Sequence, residues 1–402
     1  MRPMTHRRDQ TSAATAPPQR LIGALAVLYT VVICFIVTQR AESSSDFRDF
    51  WENAVALRET GVIRSDLGVH NYLPAFTLLM FPWSFLPLRL AIVLFTLLSL
   101  GAYAHAVLLC RSIIRRQYPD APEAAVAVAV GLQLAYVTSC AVVGAWGLIL
   151  TWLVVLAFAQ HLAGRDVRAG ALLGTAAVIK LLPALLLGYF LIVRRWRLAA
   201  GAGATILVLG GLLPWLVLGT QEFAAQHRAF AQRALRDHSA WQTIHADKPI
   251  KANFSNNALP MVLRRLLSPV DAAKGERADP LFVNVADLSR KAAWAIYVTI
   301  VTGLLLVTML ATLLSPDRQL AFAAWCCLML LLSPLVWTHY LPLTLWPLVA
   351  LAARGAVHHA RTGRPHRRIA TILFCWLIAV VALASPAARA AGAQMFSVLL
   401  LW

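Results

Sequence analysis

Charged residues are scarce in this sequence. Only 13% of its 402 residues are Asp, Glu, Lys or Arg, whereas 59% are hydrophobic, and the mean hydropathy is +0.68. Soluble domains contain about 25% charged residues. The shortage of charge therefore excludes an ordinary soluble domain and predicts that most of the chain faces lipid or other apolar helices. Because a membrane-spanning helix needs roughly 20 apolar residues, we expect an all-α polytopic membrane protein.

Acidic residues are the scarcer charge type, with 18 Asp and Glu against 36 Lys and Arg. The basic residues do not follow one amphipathic face, as in a nucleic-acid-binding surface, but occupy short segments between apolar runs. The N-terminus (Arg2, Arg7, Arg8, Arg20) and the stretch 354–368 fit cytoplasmic anchoring by the positive-inside rule. The positions of the basic residues therefore predict the orientation of the chain in the membrane, and we expect no nucleic-acid partner.

The sequence also lacks the motifs of nucleotide and zinc chemistry. It has no G-x-x-x-x-G-K-[ST], no H-E-x-x-H and no G-x-G-x-x-G after a strand. We find no internal repeat motif. The six cysteines lie in or at the edge of apolar runs, without C-x-x-C or Cys/His metal spacing. We expect them to be ordinary core residues, and we expect no metal and no cofactor. They are Cys34, Cys110, Cys140, Cys326, Cys327 and Cys375.

Apolar runs make up most of the chain and predict roughly 10 to 12 membrane spans. They lie at about 21–39, 72–87, 88–110, 122–140, 142–162, 168–194, 198–219, 291–314, 319–333, 340–354 and 367–386. The first run lacks a clear small-x-small cleavage site, so we interpret it as a retained helix. We divide the chain into a cytoplasmic basic tail (1–20), a single transmembrane domain (21–386) and a C-terminal tail (387–402) that is apolar but too short to span.

Two polar segments, at about 40–71 and 220–290, are long enough to carry chemistry. With the N-terminus inside, the first lies outside, and counting back from the basic 354–368 loop places the second outside too. The orientation of the middle loops stays open. It changes if the run 168–194 is two short helices broken at Pro183, or if 72–87 is re-entrant.

The first polar segment contains a pattern typical of an amphipathic helix on the membrane surface. Its apolar face is predicted to consist of Phe50, Trp51, Ala54 and Leu57, and its polar face of Asp49, Glu52, Asn53 and Glu59. The second segment repeats the pattern with Phe223, His227, Phe230 and Ala234. Both segments are therefore expected to be interfacial and partly ordered.

Asp46 and Asp49 begin the first external helix and lie three residues apart, which places them on one helix face. A carboxylate at the outer membrane surface, beside an apolar groove, can act as general base toward an acceptor hydroxyl. The alternative is that Asp46 or Ser45 caps the helix, a common role for acidic and hydroxyl residues.

Lys180 and His339 are further candidates. Lys180 lies in an otherwise uncharged apolar run, where a buried ammonium is expensive and marks a functional site by default. The alternative is a lysine that snorkels from a helix end before Pro183. His339 follows a Ser-Pro turn and could bind phosphate or move a proton. Plain anchoring beside Trp337 and Tyr340 explains it equally well.

Three arginines of the second polar segment, Arg228, Arg264 and Arg265, offer bidentate phosphate recognition. Solvated arginines are common, so each is a weak signal alone.

Taken in order, four stretches resemble glycosyltransferase family 87 of the membrane-embedded glycosyltransferase C superfamily. They are Ser45–Trp51 with Ala54 and Gly61; Tyr72-Leu73-Pro74 with Phe81-Pro82 and Leu86-Pro87-Leu88; Lys180 through Pro183 to Arg194–Arg197; and Asn253-Phe254-Ser255 with Arg264, followed by Ser333-Pro334, Trp337 and His339. The likeness covers about residues 20–354. Two departures are visible: Gly144-Ala145-Trp146-Gly147 replaces a polar Gly-Gln-x-Asn element, and His339-Tyr340 replaces a frequent pair of histidines.

The resemblance implies a metal-independent, inverting transfer of a hexose, mannose first among the candidates, from a polyprenyl-phosphate donor. The acceptor would be a glycolipid or cell-envelope glycan at the outer face of the cell membrane. Asp46 would be the base, with Asp49 as the alternative, and Lys180, Arg264 and His339 would hold the donor phosphate. Asn253, Arg228 and Arg265 are secondary candidates.

Two rival functions belong to other classes. A transporter or flippase for lipid-linked sugars would also need apolar grooves and intramembrane charge, although we see no matching halves with broken helices. A non-catalytic membrane subunit would present the same loops to a partner and would tolerate replacement of Asp46.

Overall fold

The structure is a computed structural model that describes residues 19–43, 46–64, 72–119, 121–247, 249, 251–273 and 278–402. Within these ranges it is built from helices, joined by turns, with one isolated antiparallel bridge between Asn256 and Trp337 and no strand. The all-α prediction is confirmed.

Up to residue 230, the described residues form ten α-helices and three short 3-10 or π segments. The α-helices are α1 (Gln19–Gln39), α2 (Asp46–Thr60), α3 (Pro74–Met80), α4 (Leu88–Gln117), α5 (Ala124–Val143), α6 (Gly147–Leu162), α7 (Asp166–Ile179), α8 (Leu186–Ile192), α9 (Trp196–Thr205) and α10 (Leu213–Phe230). The 3-10 helices are Phe81–Phe85 and Leu182–Leu185, and a π-helix covers Ile206–Leu212.

The C-terminal half contains eight more α-helices. They are α11 (Ala240–His245), α12 (Leu259–Leu267), α13 (Arg290–Leu314), α14 (Arg318–Leu332), α15 (Leu345–Thr362), α16 (Arg367–Val381), α17 (Pro386–Ala390) and α18 (Ala393–Leu401). A π-helix over Ala231–Asp237 follows α10, and 3-10 helices cover Thr338–Thr344 and Ala382–Ala384.

Among the described residues, six helical stretches are long and apolar enough to cross a membrane. They are Leu88–Gln117, Ala124–Val143, Trp196–Asp237, Arg290–Leu314, Thr338–Thr362 and Arg367–Ala384. Four shorter apolar helices, Gly23–Gln39, Gly147–Leu162, Leu182–Ile192 and Arg318–Leu332, lie among them. The polytopic architecture is confirmed, and the exact number of spans stays a prediction.

Two of the apolar runs are broken in the structure, as the sequence alternatives allowed. The run 168–194 divides into α7 and α8 around Lys180 and the Pro183-containing 3-10 helix. The run 72–87 forms only the seven-residue α3 and a five-residue 3-10 helix. Neither of these two pieces is long enough to cross the hydrocarbon alone.

Helix α2 packs its apolar face against the bundle, and its position at the membrane surface stays a prediction. Its Phe47, Phe50, Ala54 and Leu57 are buried, as the apolar periodicity requires. Asn53, predicted on the polar face, is also fully buried, and its side-chain amide donates to the backbone oxygen of Asp49. The polar-face prediction for Asn53 was therefore wrong, because α3, α4 and the Phe81–Phe85 helix pack against α2.

The core lies between α4, α5, α6, α14 and α15. Phe158 of α6 stacks on Phe322 of α14 with ring centroids 4.0 Å apart, and Trp346 of α15 packs beside them. The C-terminal residues join this bundle. Helix α18 packs against α14 and α16, and its Gln394 is buried, with the side-chain amide donating to Ala379 O.

Candidate active site

A cavity of about 1070 Å³ opens where the two candidate external segments meet the bundle. Its wall is formed by the start of α2, the break between α7 and α8, the end of the helix after α10, and the segments around residues 251–255 and 332–340. This wall brings together five of the residues singled out from the sequence: Asp46, Asp49, Lys180, Asn253 and His339. They come from four separate parts of the chain.

Asp46 is the first residue of α2, with its carboxylate toward the cavity. Its Oδ2 lies 3.7 Å from Nε2 of His339, and 37% of its side chain is exposed. Burial raises the pKa of Asp46 to about 6; Lys180 opposes that rise, Asp49 adds to it, and Lys251 opposes it. A base with this pKa is largely ionised at neutral pH and can still accept a proton.

Asp49 lies one turn further along α2 and also lines the cavity. Burial and the neighbouring Glu52 raise its pKa, while Arg48 and Lys251 oppose the rise. The 3.7 Å contact with His339 belongs to Asp46. The capping alternative for Asp46 is compatible with this geometry, since a carboxylate in the first helical turn interacts favourably with the helix dipole. Ser45, the other capping candidate, lies outside the described residues.

Lys180 is placed by the break between α7 and α8. It caps α7 in an extended conformation (φ −150°, ψ 131°), which turns the chain before Pro183. Its Nζ donates to the hydroxyl oxygens of Tyr340 and Tyr72 and lies 3.6 Å from the ring centroid of Tyr340. The ammonium is therefore held at the cavity by two tyrosines rather than extended away toward a helix end.

The turn between α5 and α6 positions both members of the Asp46–His339 pair. Gly144 has φ +70°, and a Cβ there would lie 2.5 Å from Cβ of Phe47, the neighbour of Asp46. A Cβ on Gly147 would lie 2.2 Å from the backbone oxygen of His339. Both glycines belong to the Gly-Ala-Trp-Gly element, so it acts here by close backbone approach.

A second set of contacts joins the Asn253 segment to the His339 segment. The backbone N–H of Asn257 donates to Val336 O over 2.6 Å, and the N–H of Val336 donates to Oδ1 of Asn256. The guanidinium of Arg265 donates to the backbone oxygens of Asn253 and Asn256 over 2.7 and 2.8 Å. Arg265 is completely buried and holds this loop in shape.

The cavity lining does not include Arg228, Arg264 or Arg265. Arg228 is exposed near the end of α10, and Arg264 is buried in α12. The structure therefore brings together only part of the phosphate-binding set expected from the sequence.

Four basic residues that the sequence reasoning missed line the cavity instead: Arg233, His238, Lys251 and Arg389. Burial, then Arg233 and Lys251, lower the pKa of His238, and its Nε2 is buried without a hydrogen-bond partner within the described residues. Arg389 comes from α17, in the segment that we interpreted as a tail, and donates to Oγ of Ser255 over 2.8 Å. Nothing in their spacing distinguishes these residues from ordinary solvated basic side chains.

Part of the cavity wall is apolar. This apolar wall consists of leucines and an aromatic ring from four parts of the chain: Leu181, Leu185, Leu235, Tyr297, Leu332 and Leu335. The cavity lining contains more positive than negative side chains: Lys180, Arg233, Lys251 and Arg389, compared with Asp46 and Asp49. Such a site suits a ligand with an anionic group and an apolar chain. Among the described residues, no group of three His, Cys, Asp or Glu is arranged to hold a metal ion.

The fold and the cavity define a polytopic membrane protein with one large, partly charged site. The family model of glycosyltransferase family 87 matches residues 70–334, and the chain belongs to that family. It is therefore a membrane glycosyltransferase. Lys180 and Asn253 lie inside the matched range, whereas Asp46, His339 and Arg389 lie outside it. Comparison with curated proteins and with solved structures gives no significant match.

Proposed function

We propose that the protein is an inverting hexosyltransferase that uses a polyprenyl-phosphate sugar, with mannose the first candidate. The acceptor is a lipid-linked or cell-envelope glycan at the outer face of the cell membrane. The observation that carries the proposal is the cavity itself, which is lined by the Asp46–His339 pair, by Lys and Arg side chains and by apolar side chains. Family membership supports glycosyl transfer and disfavours the transporter and subunit alternatives.

Asp46 acts as the base in this mechanism. Its carboxylate takes the proton from the acceptor hydroxyl as the hydroxyl oxygen attacks the anomeric carbon of the donor. The bond between that carbon and the phosphate oxygen breaks, and its electron pair leaves with polyprenyl phosphate. One displacement inverts the anomeric configuration. His339, 3.7 Å from Asp46, orients the carboxylate.

The donor phosphate lies near Lys180 in this proposal. Charge-assisted contacts to phosphate are strong in a site of low dielectric constant, and they stabilise the charge that develops on the leaving group. Lys251 and Arg233 line the same cavity, whereas Arg264 does not. They are therefore better candidates than Arg264 for binding the donor phosphate. The apolar wall accommodates the first isoprene units of the lipid.

The experiment is transfer by the purified full-length protein in liposomes, with a membrane glycolipid extract as acceptor. Labelled polyprenyl-phosphate mannose, polyprenyl-phosphate glucose and GDP-mannose are compared as donors. We expect transfer from one polyprenyl-phosphate sugar, none from GDP-mannose, and a product whose anomeric configuration is opposite to that of the donor. Transfer from the nucleotide sugar alone would exclude the lipid donor. Retention of configuration would exclude the single displacement.

A further inference from the structure

A second cavity of about 460 Å³ lies at the other end of α15 from His339. His339 belongs to the 3-10 helix that leads into α15, whereas this cavity reaches Arg361 and Thr362 at the helix C-terminus. A rise of 1.5 Å per residue makes the 18-residue α15 about 27 Å long. The two cavities therefore lie toward opposite ends of α15.

Four basic or imidazole side chains line this second cavity: Arg354, His358, Arg361 and His366. The His358 and His366 rings face each other edge to face, with centroids 4.9 Å apart. Nδ1 of His366 is buried and has no hydrogen-bond partner within the described part of the chain. A hydrogen-bond partner for this nitrogen would come from a ligand or from water.

One carboxylate lies beside this cluster, and it is already engaged. Oδ2 of Asp317 is 3.3 Å from Arg354, while its Oδ1 accepts from the backbone N–H groups of Gln319 and Leu320 at the start of α14. Asp317 therefore holds Arg354 in place through one end of its guanidinium group, and the other end, with Arg361 and the two histidines, is left to an external anion. The charge of the cavity lining is positive.

The floor of the cavity is apolar and is shared by three helices. It includes Leu320 of α14, Leu351 of α15 and Ile369 of α16. Helices α15 and α16 approach closely at Gly355, where an added Cβ would lie 2.9 Å from Cγ2 of Ile369. A phosphate group bound by the basic side chains would therefore lie beside an apolar surface between helices. This combination suits a phospholipid better than a free phosphate ion.

We propose that this cavity binds the phosphate headgroup of an anionic membrane phospholipid, with the attached chains against the apolar floor. Arg354 and Arg361 contact the phosphate oxygens, and His358 and His366 complete the shell. Basic pockets between membrane helices bind anionic headgroups in this way. The site is separate from the transferase cavity, and the inference holds whatever sugar donor that cavity uses.

The test measures lipid retained by the purified full-length protein in native mass spectrometry, with dioleoyl phosphatidylglycerol and dioleoyl phosphatidylcholine as probes. The cavity variant is Arg354→Gln/Arg361→Gln. The matched control, Arg364→Gln/Arg368→Gln, removes the same charge from exposed residues of the same connection that do not line the cavity. Thermal melting verifies that both variants fold, and single Arg361→Gln replaces the cavity variant if the double change unfolds the protein.

We expect wild type and the control to prefer phosphatidylglycerol, and the cavity variant to bind it about tenfold more weakly. Equal loss in both variants would mean diffuse attraction to a basic loop and would overturn the site. Unchanged binding in the cavity variant would overturn it as well. A third arm adds inorganic phosphate: if it displaces the lipid at equimolar concentration, the cavity recognises free phosphate, and the lipid proposal is wrong.

Discussion

At the scale of single residues, Asp46 has to be ionised at neutral pH although its partial burial disfavours the charged form. Burial raises its pKa to about 6, and the positive charge of Lys180 limits that rise. Lys180 in turn is fixed by the hydroxyl groups of Tyr72 and Tyr340. The cavity thus keeps a carboxylate basic enough to accept a proton without allowing it to be neutral at physiological pH.

The pH dependence of transfer follows from this pKa. Because the ionised form of Asp46 is the base, kcat/KM should rise with pH through about 6 and be about tenfold lower at pH 5 than at neutral pH. Lys180 lowers the pKa of Asp46, so Lys180→Gln should move the acid limb to higher pH.

Asp49 raises the pKa of Asp46, so Asp49→Asn should move the same limb to lower pH. The measurement is a pH–rate profile of wild type, Lys180→Gln and Asp49→Asn in liposomes of constant composition. A limb that stays in place in both variants would show that Asp46 is not the group that titrates.

At the scale of elements, the turn between α5 and α6 has a structural role that its residue types do not reveal. Compared with the family pattern, the Gly-Ala-Trp-Gly element lacks the polar side chains of the Gly-Gln-x-Asn element that it replaces. In the structure its two glycines allow α2 and the His339 segment to approach α6 closely. The positions of the base and of its histidine therefore depend on a turn that contributes no catalytic side chain.

Gly147→Ala tests this dependence. The added Cβ would lie 2.2 Å from the His339 backbone oxygen, so the chain must shift there. Overpacking of this kind costs typically about 1–3 kcal/mol. We expect a lower melting temperature and at least about a tenfold loss of transfer, because displacement of catalytic groups by about 1 Å is costly.

The control is Gly131→Ala, in the exposed part of α5, where an added Cβ meets nothing within 4 Å. Alanine is the better helix former there, so stability should be unchanged or slightly higher. If Gly147→Ala has the same melting temperature and the same transfer activity as Gly131→Ala, the turn does not position the Asp46–His339 pair.

At the scale of the whole molecule, the sequence predicted what depends on local pattern. Apolar periodicity indicated the helices, Pro183 gave the break beside Lys180 as an alternative to one continuous helix, and the family motifs indicated Asp46 and His339. Contacts between distant segments were not predictable in the same way. Asn53 was assigned to a polar face because its helix was considered alone, whereas three other elements bury it.

The basic side of the cavity was the other part that the sequence did not indicate. Arg233, Lys251 and Arg389 are separated by long stretches and resemble solvated residues in any local window. Arg389 lies at the cavity beside Phe254 and Ser255, and no local pattern predicts a contact over so long a sequence separation. Arg264 was expected to hold the donor phosphate, with Arg265 as a secondary candidate, but both are buried and neither lines the cavity.

The central claim is that Asp46 removes the acceptor proton. The most direct measurement is labelled-sugar transfer by Asp46→Asn and Asp49→Asn at matched expression and matched melting temperature. General-base catalysis contributes about 10²–10⁴-fold, so Asp46→Asn should lose at least about 100-fold in kcat with little change in KM for the donor. Asp49→Asn should remain within about tenfold of wild type. Equal activity of wild type and Asp46→Asn, or a greater loss with Asp49→Asn, would contradict the account.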